Sequence, residues 1–190
     1  MSTDADEHRA QLRAALLKLK APEASKRAPA PTSSVFGRAR AAVPADVRPA
    51  ASRDALNARF RNVETTALMT GTTMLLVVLP DPGPVPAALM RSLELLVAAN
   101  AVVVALGPEL PRQVDRGGPL TLPLRADDDL ASEWALLALG PGKRVAFLAR
   151  REGELWSWMI TRDQVAVHRA GTAILERVPF LRLRVPALQD

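Results

Sequence analysis

Two short runs of unbroken apolar residues constrain this chain more than any other feature. Met74 to Leu79 is closed by Pro80-Asp-Pro-Gly83, and Ala101 to Leu106 is stopped by Gly107-Pro108. A strand that is apolar at every position has both faces covered, as strands of a parallel sheet do. Between the runs, residues 86–99 carry Leu89, Leu93 and Leu96 on one helical stripe, and Pro86 suits a first helical turn. Strand, helix and strand in that order predict a parallel β-α-β unit.

The flanking sequence extends this unit. Ser52 is placed to cap a helix with Asp54 in its first turn and Leu56, Phe60, Val63 and Ala67 on one face, ending before Gly71. Beyond residue 107 the pattern changes to short strands at Leu120–Leu124, Glu133–Leu139, Arg144–Arg150 and Glu154–Ile160. Gly140-Pro-Gly142 and Glu152-Gly153 supply turns, so an antiparallel meander is expected. A last helix is expected over Arg162–Val178, with Thr161 as its cap and Val165, His168 or Arg169, Thr172, Leu175 and Val178 on its inner side. Phe180–Val185 could add a strand. The fold class that follows is α/β in its mixed α+β form: a single mixed β-sheet flanked by helices, preceded by a disordered N-terminal tail.

The N-terminal third reads differently. Residues 1–20 hold an amphipathic stretch in which Leu12, Leu16 and Leu19 recur at helical spacing. Acidic residues near its start and Lys18 and Lys20 near its end complement a helix dipole. Residues 21–50, rich in Ala, Pro and Arg, lack apolar periodicity and read as a flexible linker with a reach of about 30 Å or more. The domain proper is then expected over 51–190.

Composition narrows the functions available. Residues 1–62 carry 12 Lys and Arg against 6 Asp and Glu, whereas the remainder is close to neutral. The basic character belongs to the tail, and a nucleic-acid-binding domain would be expected to show a basic face of its own. The chain has no Cys, which removes disulfides, thiol chemistry and Cys-based metal sites. Aromatic residues are 4% of the chain, too few for a platform of stacked bases. The longest apolar stretch, Leu93 to Gly107, is interrupted by Glu94 and Asn100 and is short for a membrane span. The acidic start resembles no secretory signal. A soluble, cytoplasmic protein without membrane contact is expected.

A search for chemistry yields no catalytic set. His8 lies in the tail and His168 in the last helix, with no Cys to join them. Gly140-Pro-Gly-Lys143 lacks the first Gly and the Ser or Thr of a phosphate loop, and a strand follows it. It reads as a hairpin turn. Asp127-Asp128-Asp129 lacks the spaced ligands of a calcium loop and reads as an acidic loop in which Asp128 or Asp129 caps a turn. No enzyme activity, metal or cofactor is expected. Trp134, Trp156 and Trp158 stand out in a chain so poor in aromatics. Trp156 and Trp158 are two apart on one strand and share a sheet face. Core packing is one reading of them, and a ligand-pocket wall or an interface is the other.

The segment Leu122-Pro-Leu, followed by Glu133-Trp-Ala-Leu-Leu-Ala-Leu-Gly-Pro-Gly-Lys-Arg-Val-Ala-Phe-Leu-Ala-Arg150, resembles the second half of the DICT sensory domain family. A Trp-bearing strand and a closing helix follow, as in that family, and the helix with Leu56, Arg61, Val63 and Glu64 is similar to its first helix. The resemblance spans about residues 52–178. It departs after the first strand, where the family often has Phe-Gln and this chain has Leu79-Pro80-Asp81. It implies a bacterial signalling role without naming a ligand. The family is usually fused to an output domain such as a diguanylate cyclase or a helix–turn–helix, so a standalone member is expected here.

These readings converge on a sensory or regulatory module that acts by protein–protein interaction and has a small-ligand pocket. Glu133, Trp134, Trp156 and Trp158 are the candidate ligand or interface residues, and Leu12, Leu16 and Leu19 the candidate partner-binding helix. The alternative is weak, salt-sensitive nucleic-acid association through the basic tail. A homodimer through exposed sheet edges is a further option.

Overall fold

The computed structural model describes residues 34–80, 87–99, 101–113, 117–125 and 127–178. One seven-stranded sheet runs in the order β1-β7-β6-β5-β2-β3-β4. Its strands are β1 (Arg48–Ala51), β2 (Met74–Val78), β3 (Val102–Gly107), β4 (Leu120–Pro123), β5 (Glu133–Gly140), β6 (Lys143–Glu152) and β7 (Leu155–Thr161). The helices are α1 (Val35–Arg40), α2 (Arg53–Met69), α3 (Ala87–Ala98) and α4 (Gln164–Leu175). The mixed sheet flanked by helices is as the sequence predicts.

Alternation along the strands divides the core in two. Met74, Leu76 and Val78 of β2 face α1 and α4, together with Leu137, Leu148 and Met159. Leu75 and Val77 face α2 and α3, together with Leu136, Phe147 and Trp156. Helices on both faces explain why β2 carries no polar position. β2 and β3 pair in parallel, with α3 as their crossover, and β5, β6 and β7 form the antiparallel meander. β4 does not join the meander. It pairs in parallel with β3 at the far edge, reached by a connection long enough for a crossover.

Residues 34–51 overturn the linker reading for that stretch. α1 buries Val35, Phe36 and Ala39, and β1 pairs antiparallel with β7. A six-residue helix is too short to display a period. Its N-terminus is held instead by Glu133, 98 residues away in the chain from Val35. β1 contains Pro49, but it lies at the sheet edge, where a missing N–H is tolerated, and its register with β7 is irregular. The domain therefore begins by Ser34 rather than at residue 51. Leu12, Leu16 and Leu19, the early part of the linker and the suggested strand Phe180–Val185 lie outside the described residues.

The inner face of α4 also differs from expectation. Val165, His168 and Arg169 are exposed, while Ala166, Val167, Ala170, Ala173 and Ile174 are buried. Small residues let this helix approach the sheet closely, and a search for large apolar residues passes over them. Its cap is Asp163, which accepts from the Ala166 N–H at 2.8 Å, and not Thr161.

Candidate functional site

α2 ends just before β2 begins, so its N-terminus returns to the sheet edge where β2 and β3 end. α3 begins at that same edge, and β5, antiparallel to β2, starts there. Carboxyl ends of parallel strands are where open α/β sheets commonly hold ligands. Here a cavity of about 300 Å³ lies between α2 and α3. Phe60, Leu68, Leu79, Leu89, Leu110 and Trp134 supply its apolar surface.

The polar groups on its wall come chiefly from one stripe of α2. Arg53, Asn57 and Arg61 follow one another at four-residue spacing, with Glu64 one turn further. Glu109, just beyond β3, completes the set. Among the described residues none of these five side chains has a hydrogen-bond or ion-pair partner. Arg53, Pro80, Pro108 and Glu109 also line a second concavity of about 450 Å³, which reaches Trp156, Asp128 and Arg151. The two open side by side along the same edge.

The four candidate residues on the domain divide sharply. Trp134 is buried on the cavity wall and sits in an aromatic cluster, with ring centroids 5.1 Å from Phe60, 5.6 Å from Phe147 and 6.2 Å from Trp156. Its indole N–H is buried and has no hydrogen-bond acceptor among the described residues. Trp156 lines the second concavity. Trp158 is half-buried beneath the Arg59 guanidinium, 4.1 Å from its ring centre, a cation–π contact that tethers β7 to α2. Trp156 and Trp158 do share a sheet face, as their spacing predicts.

Glu133 has a structural task. Its carboxylate accepts from the Ser34 hydroxyl, from the Val35 N–H at 2.8 Å and from the Phe36 N–H at 3.1 Å. It thereby caps α1 from another element. Burial pushes its pKa above the ordinary value of 4.5, and the hydrogen bonds from Ser34, Phe36 and Val35 oppose that shift in part. With its oxygens so engaged, this carboxylate holds α1 in place rather than facing the cavity.

Asp128 caps the short turn before β5 by accepting from Leu130 N–H at 2.9 Å, as the acidic-loop reading predicts. It also pairs with Arg177 at 3.1 Å, both side chains being buried. Lys143 and Arg144 lie at the opposite edge, beside a concavity of about 460 Å³ that Arg162 also lines. His168 is exposed on α4. Among the described residues no group of three or more His, Cys, Asp or Glu could hold a metal ion, and no helix is long and apolar enough to cross a membrane.

Sequence reasoning found Trp134 but missed the stripe opposite it. Arg53, Asn57 and Arg61 lie off the apolar stripe of Leu56, Phe60, Val63 and Ala67, and only the placement of α3 turns them into a wall. The fold and cavity define a three-layered α/β module, helices on both faces of one sheet, with a concavity at its strand ends. No protein-family model matches this chain, and no curated protein or solved structure does.

Proposed function

We propose that this chain is a regulatory module that binds a small molecule in the α2–α3 cavity and passes its response to another protein. The observation that carries this reading is the cavity itself. It is apolar and aromatic inside, with a few convergent polar groups, at the edge where parallel strands end. Four side chains of its wall are charged, have no partner among the described residues and sit beside an apolar interior, an arrangement that fits ligand recognition better than stability. The similarity of the 133–150 segment to the DICT family supports a bacterial signalling setting and a cytoplasmic location. The basic residues of the N-terminal region suit the weaker, alternative role in nucleic-acid association.

The reading is tested by thermal melting of the full chain against a small-molecule collection, alongside Asn57→Trp, which fills the cavity from an exposed position. Compounds that raise the melting temperature of the wild type should fail to do so with the variant. Equal shifts in both proteins would place binding elsewhere and remove the proposal.

A further inference from the structure

The charge pattern at the cavity mouth specifies the ligand further; this inference rests on the cavity being a binding site. Arg53 and Glu109 approach the mouth from different elements, the first residue of α2 and the segment after β3, and both also border the second concavity. They carry opposite charges yet do not pair with each other or with any described residue. Arg61 and Glu64 add a second pair of opposite charges further along α2. Among the described residues the wall is thus bipolar, with as many guanidinium groups as carboxylates. A simple anion would meet Glu109 and Glu64, and a simple cation would meet Arg53 and Arg61. A ligand carrying both charges satisfies each.

The body of such a ligand must be apolar, because Phe60, Leu89, Leu110 and Trp134 surround the space behind the charges. Arg53 opens α2, so the positive end of the helix dipole reinforces it as the carboxylate partner. Glu109 then takes the ammonium group.

We infer that the cavity takes a zwitterionic small molecule with an apolar body, the class of free α-amino acids with aromatic or branched aliphatic side chains. Its carboxylate would meet Arg53, its ammonium Glu109, and its side chain the Phe60–Trp134 wall.

The test uses the full chain and four probes that share a phenyl group: L-phenylalanine, 3-phenylpropionate, phenethylamine and ethylbenzene. L-Leucine serves as the aliphatic counterpart. Binding is read from the protein's Trp emission, to which none of the probes contributes. L-Phenylalanine or L-leucine should bind at least about tenfold more tightly than the singly charged probes, since a hydrogen bond to a charged group contributes about that much. Arg53→Gln should reduce phenylalanine toward the affinity of phenethylamine without weakening phenethylamine. Glu109→Gln should do the same relative to 3-phenylpropionate. Both positions are exposed, and circular dichroism would confirm that the variants fold. Equal affinity for all four phenyl probes overturns the ligand class but leaves the cavity as a binding site. No response to any probe overturns the class, and with no shift from the broader collection the cavity reading falls as well.

Discussion

Replacing Glu133 with alanine should damage this fold more than any surface substitution, and the size of the effect follows from three hydrogen bonds. The substitution leaves the Ser34 hydroxyl and the Val35 and Phe36 N–H groups without their acceptor. Val35 and Phe36 are buried, so water cannot readily replace the carboxylate. Each orphaned buried donor costs about 1–3 kcal/mol. Part of that is offset because the ionised carboxylate is itself penalised by burial. A net loss of about 3 kcal/mol is expected, or about 6–12 °C in melting temperature for a domain of this size. Urea denaturation, with equal slopes confirmed for both proteins, measures it. Glu133→Gln should lose much less, because its amide oxygen can accept from the two N–H groups while its NH₂ donates to Ser34. This pair also fixes the sign of the pH dependence. A carboxyl whose pKa is raised by folding contributes most while protonated, below its ordinary 4.5, and that contribution is lost as pH rises through the folded value. The wild type should therefore lose stability relative to Glu133→Gln as pH rises from about 4 toward neutrality. A loss under 1 kcal/mol for Glu133→Ala, or a wild-type-minus-Gln difference that ignores pH, would refute the reasoning.

The glycines of the β5–β6 hairpin should separate by mechanism. A Cβ at Gly140 would lie 2.8 Å from the Gly71 carbonyl oxygen, so Gly140→Ala should cost about 2–3 kcal/mol by urea midpoint. Gly142 has φ +65° with open space around it, so Gly142→Ala should cost about 1 kcal/mol and Gly142→Asn less. Among ion pairs, Arg177→Met should cost about 3 kcal/mol because it strands the buried Asp128 carboxylate. Arg38→Met, which breaks a half-exposed bidentate pair with Glu176, should cost under about 1 kcal/mol in the same assay. Phe147→Ala, a fully buried member of the aromatic cluster, should cost about 3–5 kcal/mol and shift Trp emission, since Phe147 packs edge-on to Trp134.

Much of this architecture is legible in the residues. The unbroken runs of β2 and β3 require cover on both faces, and α1 to α4 supply it. The hairpin at Pro141-Gly142 and the Asp128 cap are local and were readable for that reason. What escaped depended on distant partners. α1 has a local cap, Ser34 accepting from the Gly37 N–H, but Glu133 takes the Val35 and Phe36 N–H groups, and no window around Ser34 contains that carboxylate. β1 is a strand because β7 offers an edge, despite Pro49. α4 buries alanines that look neutral in sequence. The candidate site follows the same rule. Trp134 stood out by its rarity, whereas Arg53, Asn57 and Arg61 became a wall only when α3 was set beside them.

The central claim, a ligand held between α2 and α3, is tested most directly by what the protein carries out of the cell. Wild type and Asn57→Trp, purified in parallel under native conditions from the same cells, would be denatured and the released small molecules compared by mass spectrometry. The account predicts a compound enriched with the wild type and absent from the variant. Identical profiles from the two proteins would contradict it.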